Sequence, residues 1–322
     1  MGAYVLRRIL ISIPVLLGIT LLGFTVLSLA PGDPLLARTD PSILARMNPA
    51  DLIARRHALG LDQPLPVQYL NWLAGVLQGK FGYSIATGHS IVDEVVPRIG
   101  PTLLLMGTAL LITVLVGIPL GVISAVRQYS RIDYGLTGLS LGLAALPTFV
   151  LGLAGIYIFG VFVPILPTSG IATLGAPFSL QDRAAHLILP AAILGLANAA
   201  PLLRYTRSSM LEVLSSEYMT TARSKGLDTS IILVRHGLRN ALLPIVTIVG
   251  LLLPEMVGGA VITEQIFSWP GMGSLAVRAA QDRDPALMMG VILVVATGVL
   301  VSNLLTDVAY AVVDPRVKLD RA

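Results

Sequence analysis

Long apolar runs separated by polar segments dominate the chain. Residues 9–30 form the first uncharged run, directly after Arg7 and Arg8. Five further apolar runs lie at about residues 102–125, 134–163, 184–203, 242–261 and 286–310. Runs of about 20 apolar residues are long enough to cross a bilayer as helices. The pattern predicts an all-α integral membrane protein with six transmembrane helices.

The first apolar run has some features of a secretory signal peptide, because basic residues precede it. It is longer than the hydrophobic core of a cleaved signal, which spans about 7–15 residues, and no small-residue cleavage site follows it. We therefore interpret it as an uncleaved first span.

Basic residues favour one side of this arrangement. More than half of the 22 lysines and arginines lie on the N-terminal side of the spans, although the opposite loops are longer in total. The positive-inside rule then places both termini in the cytoplasm. The predicted organisation is an N-terminus and first span at 1–30, an external segment at 31–101, a transmembrane core at 102–310 with a cytoplasmic loop at 204–241, and a cytoplasmic tail at 311–322.

Composition excludes several kinds of chemistry. Only 12% of residues are charged, against about 25% in soluble domains, which together with the long apolar runs favours a polytopic membrane protein. There is no cysteine, which rules out disulfides and thiolate metal sites. The nearest match to a phosphate-binding P-loop, residues 75–80, has the wrong spacing. The four histidines are scattered. We therefore expect no catalytic residues, metal or cofactor on this chain, and no nucleic-acid partner.

The external segment contains a predicted amphipathic helix. Leu70, Leu73 and Leu77 recur at helical spacing, and Tyr69 and Trp72 are suited to a membrane interface. We interpret this region as a helical lid on the outer surface; direct contact with a substrate is the alternative.

A few polar residues interrupt the apolar spans or adjoin them. Glu255 in the fifth span and Asn198 in the fourth are candidates for a translocation path, since ionisable groups in spans are often functional. For Glu255, a solvated position near the outer end is the alternative. Asp307 is expected to pair with a nearby arginine. Glu264 and Trp269 on the outer loop are candidates for an external gate or a contact with a binding protein.

The cytoplasmic loop has helix signals of its own. Ser215 or Ser216 is a suitable N-cap, and Glu217 lies in the first turn, where an acid favours the helix dipole. The predicted helix continues to Lys225 and ends at Gly226, a typical residue after a helix C-terminus. An exposed short helix of this kind predicts a docking element for another protein.

A second helix is predicted at residues 229–240. Ile231, Val234 and Leu238 form its apolar stripe, and it leads along the membrane surface into the fifth span. The alternative for the whole loop is a basic amphipathic anchor on anionic lipid.

The sequence TTARSKG, followed by RHGLRNALLP, resembles the cytoplasmic loop of permease subunits of bacterial ABC importers. In the EAA motif of that family, the second alanine matches Ala222, the glycine matches Gly226, and the late Leu-Pro matches Leu243–Pro244. Thr220 and Thr221 replace the usual Glu and Ala, a departure shared by the dipeptide, oligopeptide and nickel branch. The stretches ITEQIFSWPGMG and DVAYAVVDPRVKL also resemble that branch. The similarity extends over essentially the whole chain, which is similar to the first permease of the pair.

This resemblance implies the type I ABC importer permease fold with cytoplasmic coupling helices. It implies a second homologous permease, two ATP-binding subunits that carry ATP and magnesium, and an extracytoplasmic binding protein, all assembled at the bacterial cytoplasmic membrane and its lipid. The implied substrate is a dipeptide or oligopeptide, with nickel complexes, glutathione or another small solute as alternatives. The residues implied for coupling to the ATPase are Glu217, Tyr218, Thr221, Ala222, Arg223, Lys225, Gly226 and Leu227.

Two other classes of function compete with this interpretation. A membrane enzyme acting on lipid needs a polar catalytic cluster. The sequence offers only Glu255, Glu264 and the Asp282–Arg283–Asp284 group, which we interpret as a solvated turn before Pro285. A free-standing channel leaves the organised cytoplasmic loop unexplained.

Overall fold

Helices make up nearly all of the described part of the chain. The computed structural model describes residues 2–30, 50, 53–54, 57, 62–224, 228 and 231–313. In chain order the helices are α1 (Gly2–Leu29), α2 (Leu65–Leu77), α3 (Ile91–Val126), α4 (Arg131–Ala145), α5 (Thr148–Ile156), α6 (Leu180–Leu214), α7 (Glu217–Ser224), α8 (Arg239–Ile266), α9 (Met272–Gln281) and α10 (Pro285–Val313). Two π-helical turns, Tyr157–Phe162 and Ile232–Leu238, follow α5 and precede α8. The predicted all-α class is confirmed.

Within the described ranges, four single helices are long and apolar enough to cross a membrane: α1, α3, α6 and α10. α4 and α5 together pass the same test, but they meet at an angle of 100°. Pro147 causes this break, because proline removes a backbone donor and drives the preceding residue, Leu146, into an extended conformation. The apolar stretch in α8, Asn240–Pro254, is shorter. The count of six spans therefore stays a prediction.

Two helices are longer than the predicted spans. α3 begins at Ile91, well before the predicted start at 102, and α6 continues to Leu214, well past the predicted end at 203. The external segment was predicted to extend to residue 101, but α3 already contains Pro97 and Pro101. α3 therefore extends into the external segment, and α6 extends towards the cytoplasmic loop.

α3 and α6 pack in close contact along much of their length. A Cβ atom added at Gly121 of α3 would lie 2.5 Å from Thr206 Cβ and 2.7 Å from the Leu203 carbonyl oxygen of α6. Only glycine permits such an approach of two helices. Gly117 lies one turn earlier in α3, where an added Cβ atom would lie 3.0 Å from Leu202 Cβ of α6.

Buried apolar side chains connect α3, α6 and α8. A central cluster joins these three helices to Trp269 of the outer loop: Leu105, Ala109, Ala191, Leu194, Met256 and Ala260. An inner cluster lies near the cytoplasmic loop: Ala125, Leu202, Met210, Ala241, Ile245 and Leu252. The two clusters hold α8 beside α6, the helix that precedes α7.

α2 packs against α1 through a face that differs from the predicted one. The Tyr69 hydroxyl lies 3.0 Å from Thr20 Oγ1, and its ring lies 5.6 Å from the ring of Phe24. Leu70 and Leu77 of the predicted stripe are instead 59% and 81% exposed. Aromatic packing rather than the leucine stripe orients α2, because Tyr69 supplies both apolar contact and a buried hydrogen bond.

α1 and α10 are joined at their cytoplasmic ends. Arg8 Nε lies 3.2 Å from Asp307 Oδ2. The predicted pairing of Asp307 with a nearby arginine is confirmed.

Candidate functional site

α7 begins at Glu217, three residues after the end of α6 at Leu214. Ser215 is the C-cap of α6, and its hydroxyl donates to the Glu212 carbonyl at 2.9 Å. The Ser216 hydroxyl donates to the Val213 carbonyl at 2.5 Å. Both hydroxyls therefore bond back to α6, whereas the sequence predicted that one of them caps the next helix. Only Ser215 and Ser216 separate α6 from α7.

One side chain anchors α7 to the rest of the molecule. Met219 is completely buried, and it packs with Ile232, Val213 and Leu214. Burying a methionine stabilises by about 1.5–3 kcal/mol relative to its exposure. This contact fixes α7 between α6 and the π-helical turn that precedes α8.

The opposite face of α7 carries part of the predicted coupling site. Glu217, Tyr218 and Thr221 are exposed. The Tyr218 hydroxyl accepts a hydrogen bond from Asn240 Nδ2 at 3.2 Å, which ties the tyrosine to α8. The structure thus leaves a polar face with one aromatic ring available to a partner.

The structure describes only some of the remaining predicted coupling residues. Ala222 and Arg223 lie in the second half of α7, whose bounds the structure gives as Glu217–Ser224. Lys225, Gly226 and Leu227 lie outside the described residues. Their proposed contacts therefore stay predictions.

The predicted second helix of the loop has a different winding. Ile232–Leu238 is π-helical, and Arg239 begins α8. Ile232 is buried, whereas Ile231, a member of the predicted stripe, is 45% exposed. Leu238, another member of that stripe, packs against the inner cluster, so only part of the predicted stripe faces the core.

A largely buried ion pair joins the first turn of α4 to α6. Asp133 accepts hydrogen bonds from Arg207 Nε at 2.7 Å and Arg207 Nη2 at 2.8 Å. The same carboxylate accepts from Ser124 Oγ at 2.5 Å and from the Tyr129 amide at 2.9 Å. Asp133 is almost fully buried, so this pair connects two helices tightly at the cytoplasmic side.

This pair was not predicted from the sequence, because Arg207 falls in the predicted cytoplasmic loop at 204–241 and Asp133 had no assigned role. One signal was available, because Ser130 and Asp133 have the spacing of a helix N-terminus, and the Ser130 hydroxyl indeed accepts from the Asp133 amide. The partner on α6 was hidden because the predicted span ended before Arg207.

The two residues predicted for the external gate are buried. Glu264 accepts hydrogen bonds from Thr102 Oγ1 at 2.7 Å and the Ser274 amide at 2.9 Å. Trp269 Nε1 donates to the Pro101 carbonyl at 3.0 Å. Both side chains therefore hold the outer loop against α3 and present no surface to a partner in this conformation.

A cavity of about 360 Å³ lies beside this outer loop. Arg98 of α3 and Arg278 of α9 line it together with Glu264 and Trp269. The cavity marks the place where the outer ends of α3, α8 and α9 meet.

Asp284 corrects the interpretation of the outer charged turn. It was expected to be solvated, but it is almost fully buried. It accepts from Ser84 Oγ at 2.6 Å, from the Ala86 amide at 3.0 Å and from the Leu287 amide at 3.0 Å. Asp284 therefore caps α10 and binds the external segment to it. The ion pair between Arg278 and Glu94 adds a second link.

The two candidates for the translocation path lie on α6 and α8. Asn198 is half-buried, and its Nδ2 donates to the Leu194 carbonyl at 2.8 Å within α6. Glu255 lies in the middle of α8. No group of three or more metal-binding side chains occurs in the residues that the structure covers.

Two family models together match nearly the whole chain. The family described as the binding-protein-dependent transport system inner membrane component matches residues 117–319, and its N-terminal counterpart matches residues 1–105. The fold is similar to that of an inward-facing MetNI methionine ABC transporter, with a TM-score of 0.56 at 16% identity, covering 69% of this chain and 97% of that chain.

Several relatives are similar over their full length. The oligopeptide transport system permease protein AppB of Bacillus subtilis is 46% identical, over 99% of this chain and all of that protein. The dipeptide transport system permease protein DppB of Escherichia coli is 38% identical, over 98% of both chains. The glutathione transport system permease protein GsiC of Salmonella choleraesuis is also 38% identical, over 98% of both. This chain therefore belongs to the family of binding-protein-dependent transport system inner membrane components.

Proposed function

We propose that the chain is the first of two permease subunits in an ATP-driven importer of dipeptides or oligopeptides. The family is one of transport components of the inner membrane, so the chain is a transport subunit and not an enzyme. The transport of oligopeptides by AppB and of dipeptides by DppB, as their names state, supports a peptide as the substrate. The observation that carries the proposal is the full-length similarity to these two proteins, together with the exposed face of α7.

The exposed face of α7 is the proposed docking site for a cytoplasmic ATPase. Met219 fixes the helix from behind, and Glu217, Tyr218 and Thr221 point away from the core. Small side chains at Ala222 and Gly226 suit close packing in a groove of the partner. Arg223, Lys225 and Leu227 complete the proposed contact, whose polar members are Glu217, Arg223 and Lys225. A helix of eight residues recognises its partner mainly by shape.

The proposed mechanism uses α7 as the moving end of a lever. The ATPase subunits bind ATP and magnesium, close upon each other and carry the α7 helices of both permeases along. α6 passes this movement into the membrane directly, and the π-helical turn passes it to α8. The path between the two permeases then opens outward to receive the peptide from the binding protein, and hydrolysis reverses the change.

Asn198 and Glu255 are proposed to line the path. α6 and α8 both carry the movement of α7, so polar groups on them change their surroundings during the cycle. Glu264 and Trp269 are proposed to act in the external gate by fixing the outer loop, which contacts the binding protein through its exposed residues instead.

Uptake by the reconstituted transporter tests the substrate. The chain is assembled with its second permease, its ATPases and its binding protein in proteoliposomes, and labelled dipeptide and pentapeptide are supplied outside. We expect ATP-dependent accumulation of at least one of them, and none with hydrolysis-deficient ATPases. Uptake of glutathione or a nickel complex without any peptide uptake would replace the proposed substrate.

Gly226 offers a test of the lever. Replacing Gly226 by valine adds a branched side chain two positions after Ser224 in the sequence, and glycine is favoured after the C-terminus of a helix. We expect ATP hydrolysis to continue while peptide uptake per ATP falls, and Gly226→Ala to give a smaller loss. Membrane insertion, measured by the yield of the assembled complex, should not change. Full uptake by Gly226→Val would remove α7 from the coupling mechanism.

A further inference from the structure

The Asp133–Arg207 pair lies between the coupling loop and the third span. Arg207 lies seven residues before the end of α6 at Leu214, which is about 10 Å along a helix. Asp133 lies in the first turn of α4. α6 is the helix that leads into α7, so the pair is placed where a displacement of α7 reaches α4.

The geometry of the pair favours a rigid connection. Arg207 donates two parallel hydrogen bonds, at 2.7 and 2.8 Å, to the two carboxylate oxygens of Asp133. A bidentate guanidinium–carboxylate contact fixes orientation as well as distance. Ser124 and the Tyr129 amide hold the same carboxylate from the other side, so the α3–α4 loop is included in the connection.

α4 continues the connection towards the outer loop. After the 100° bend, α5 packs on the outer end of α8, where a Cβ atom at Gly152 would lie 3.3 Å from Ile266 Cδ1 and 3.7 Å from Phe267. Phe267 directly precedes the outer loop that Trp269 holds against α3. A continuous series of contacts therefore runs from α7 through α6, α4 and α5 to the outer loop.

We infer that Asp133 and Arg207 are positioning residues that make α4 and α5 follow the movement of α7. This inference rests on the proposed function, because it presupposes that a partner moves α7. It adds a second route from the coupling loop, which meets the route through the π-helical turn only at the outer end of α8, at Ile266. The second route ends at the outer loop, so it links ATP-driven movement to the outer end of the permease.

Neutral variants give the first test, in the complete transporter. We expect Asp133→Asn and Arg207→Gln to lower peptide uptake per ATP hydrolysed by at least about fivefold, the lower end of typical coupling between sites. Stimulation of ATP hydrolysis by the binding protein should fall in parallel. Arg207→Lys should be intermediate, since lysine cannot form the bidentate contact. Arg8→Gln, which breaks the ion pair with Asp307 on the same side, is the matched control and should leave both quantities unchanged.

A reversible cross-link separates coupling from folding. The chain contains no cysteine, so Asp133→Cys/Arg207→Cys carries the only two thiols of this subunit. Joining them with a short bifunctional thiosulfonate reagent should restore uptake per ATP. Reduction of the cross-link in the same assembled complex should return uptake per ATP to the lower value of the variant. The two single-cysteine variants control for the reagent.

Unchanged coupling in the neutral variants would overturn the inference, as would a cross-link that restores thermal stability but not uptake per ATP. Failure of the proposed substrate is distinguishable from both outcomes. In that case the wild-type complex imports no peptide, while stimulation of its ATPase by the binding protein still reports on the pair.

Discussion

Glu264 and Asp284 show how strongly surroundings decide the role of a single residue. Both are acidic residues at the outer side of the chain, and both are almost fully buried. An unpaired buried charge costs several kcal/mol. Asp284 accepts hydrogen bonds from Ser84 and Ala86, and Glu264 accepts one from Thr102, all distant in sequence. From residue type alone, Asp284 was predicted to be solvated and Glu264 to face a partner. The sequence does not show which hydrogen-bond donors, 160 or more positions away, lie beside them in the fold.

Gly121 allows a quantitative prediction at the same scale. Gly121→Ala places a methyl group 2.5 Å from Thr206 Cβ, so α3 and α6 must separate. Overpacking of this kind costs about 1–3 kcal/mol. We expect a clear decrease in the thermal unfolding temperature of the purified chain in detergent.

Gly138→Ala is the matched control, because no atom of the described residues lies within 4 Å of its added methyl group. Its unfolding temperature should stay the same or rise slightly, as alanine favours helix over glycine. Equal decreases for both variants would show that the α3–α6 contact does not depend on Gly121.

Helices were more predictable than the faces they bury. Hydropathy located every apolar run, because the bilayer demands long uncharged segments whatever the neighbours are. It did not reveal the bend at Pro147, the outer extension of α3 or the inner extension of α6. These depend on contacts between helices and on proline positions that single-sequence patterns describe poorly.

The coupling site was predictable in part for the same reason. The short helix of the loop was predicted from capping and charge, and the structure describes a helix at Glu217–Ser224. The buried anchor, Met219, was not predicted, because its partners on α6 and on the π-helical turn are known only from the fold. The Asp133–Arg207 pair was missed on similar grounds.

The contact between α1 and α2 gives a prediction at the scale of elements. Tyr69→Ala removes the buried hydrogen bond to Thr20 and the contact with Phe24. Truncating a buried aromatic costs about 3–5 kcal/mol, so α2 should detach from α1. We expect faster cleavage of residues 62–78 by protease added to the outer side of spheroplasts.

Leu77→Ala removes a side chain that is 81% exposed and provides the comparison. Its cleavage rate should match that of the unchanged chain. If Leu77→Ala is cleaved as fast as Tyr69→Ala, the predicted leucine stripe and not the tyrosine holds α2.

For the whole molecule, the number of crossings is the main prediction. The chain lacks cysteine, so a single introduced cysteine can be labelled with a membrane-impermeant maleimide. The labelling shows on which side of the membrane that position lies. Lys80→Cys and Gln281→Cys should be labelled in intact cells, and Ser215→Cys only after permeabilisation. Labelling of Ser215→Cys and Gln281→Cys from the same side would mean that α8 does not cross the membrane, and the count of six would be wrong.

The length of α6 has a consequence for where partners meet the chain. Its 35 residues span about 52 Å at 1.5 Å per residue, whereas the hydrocarbon layer is about 30 Å thick. A helix of this length extends beyond the lipid headgroups at its cytoplasmic end. We therefore expect a partner that binds α7 to do so in water, clear of the bilayer surface, with an affinity independent of how much anionic lipid the membrane contains.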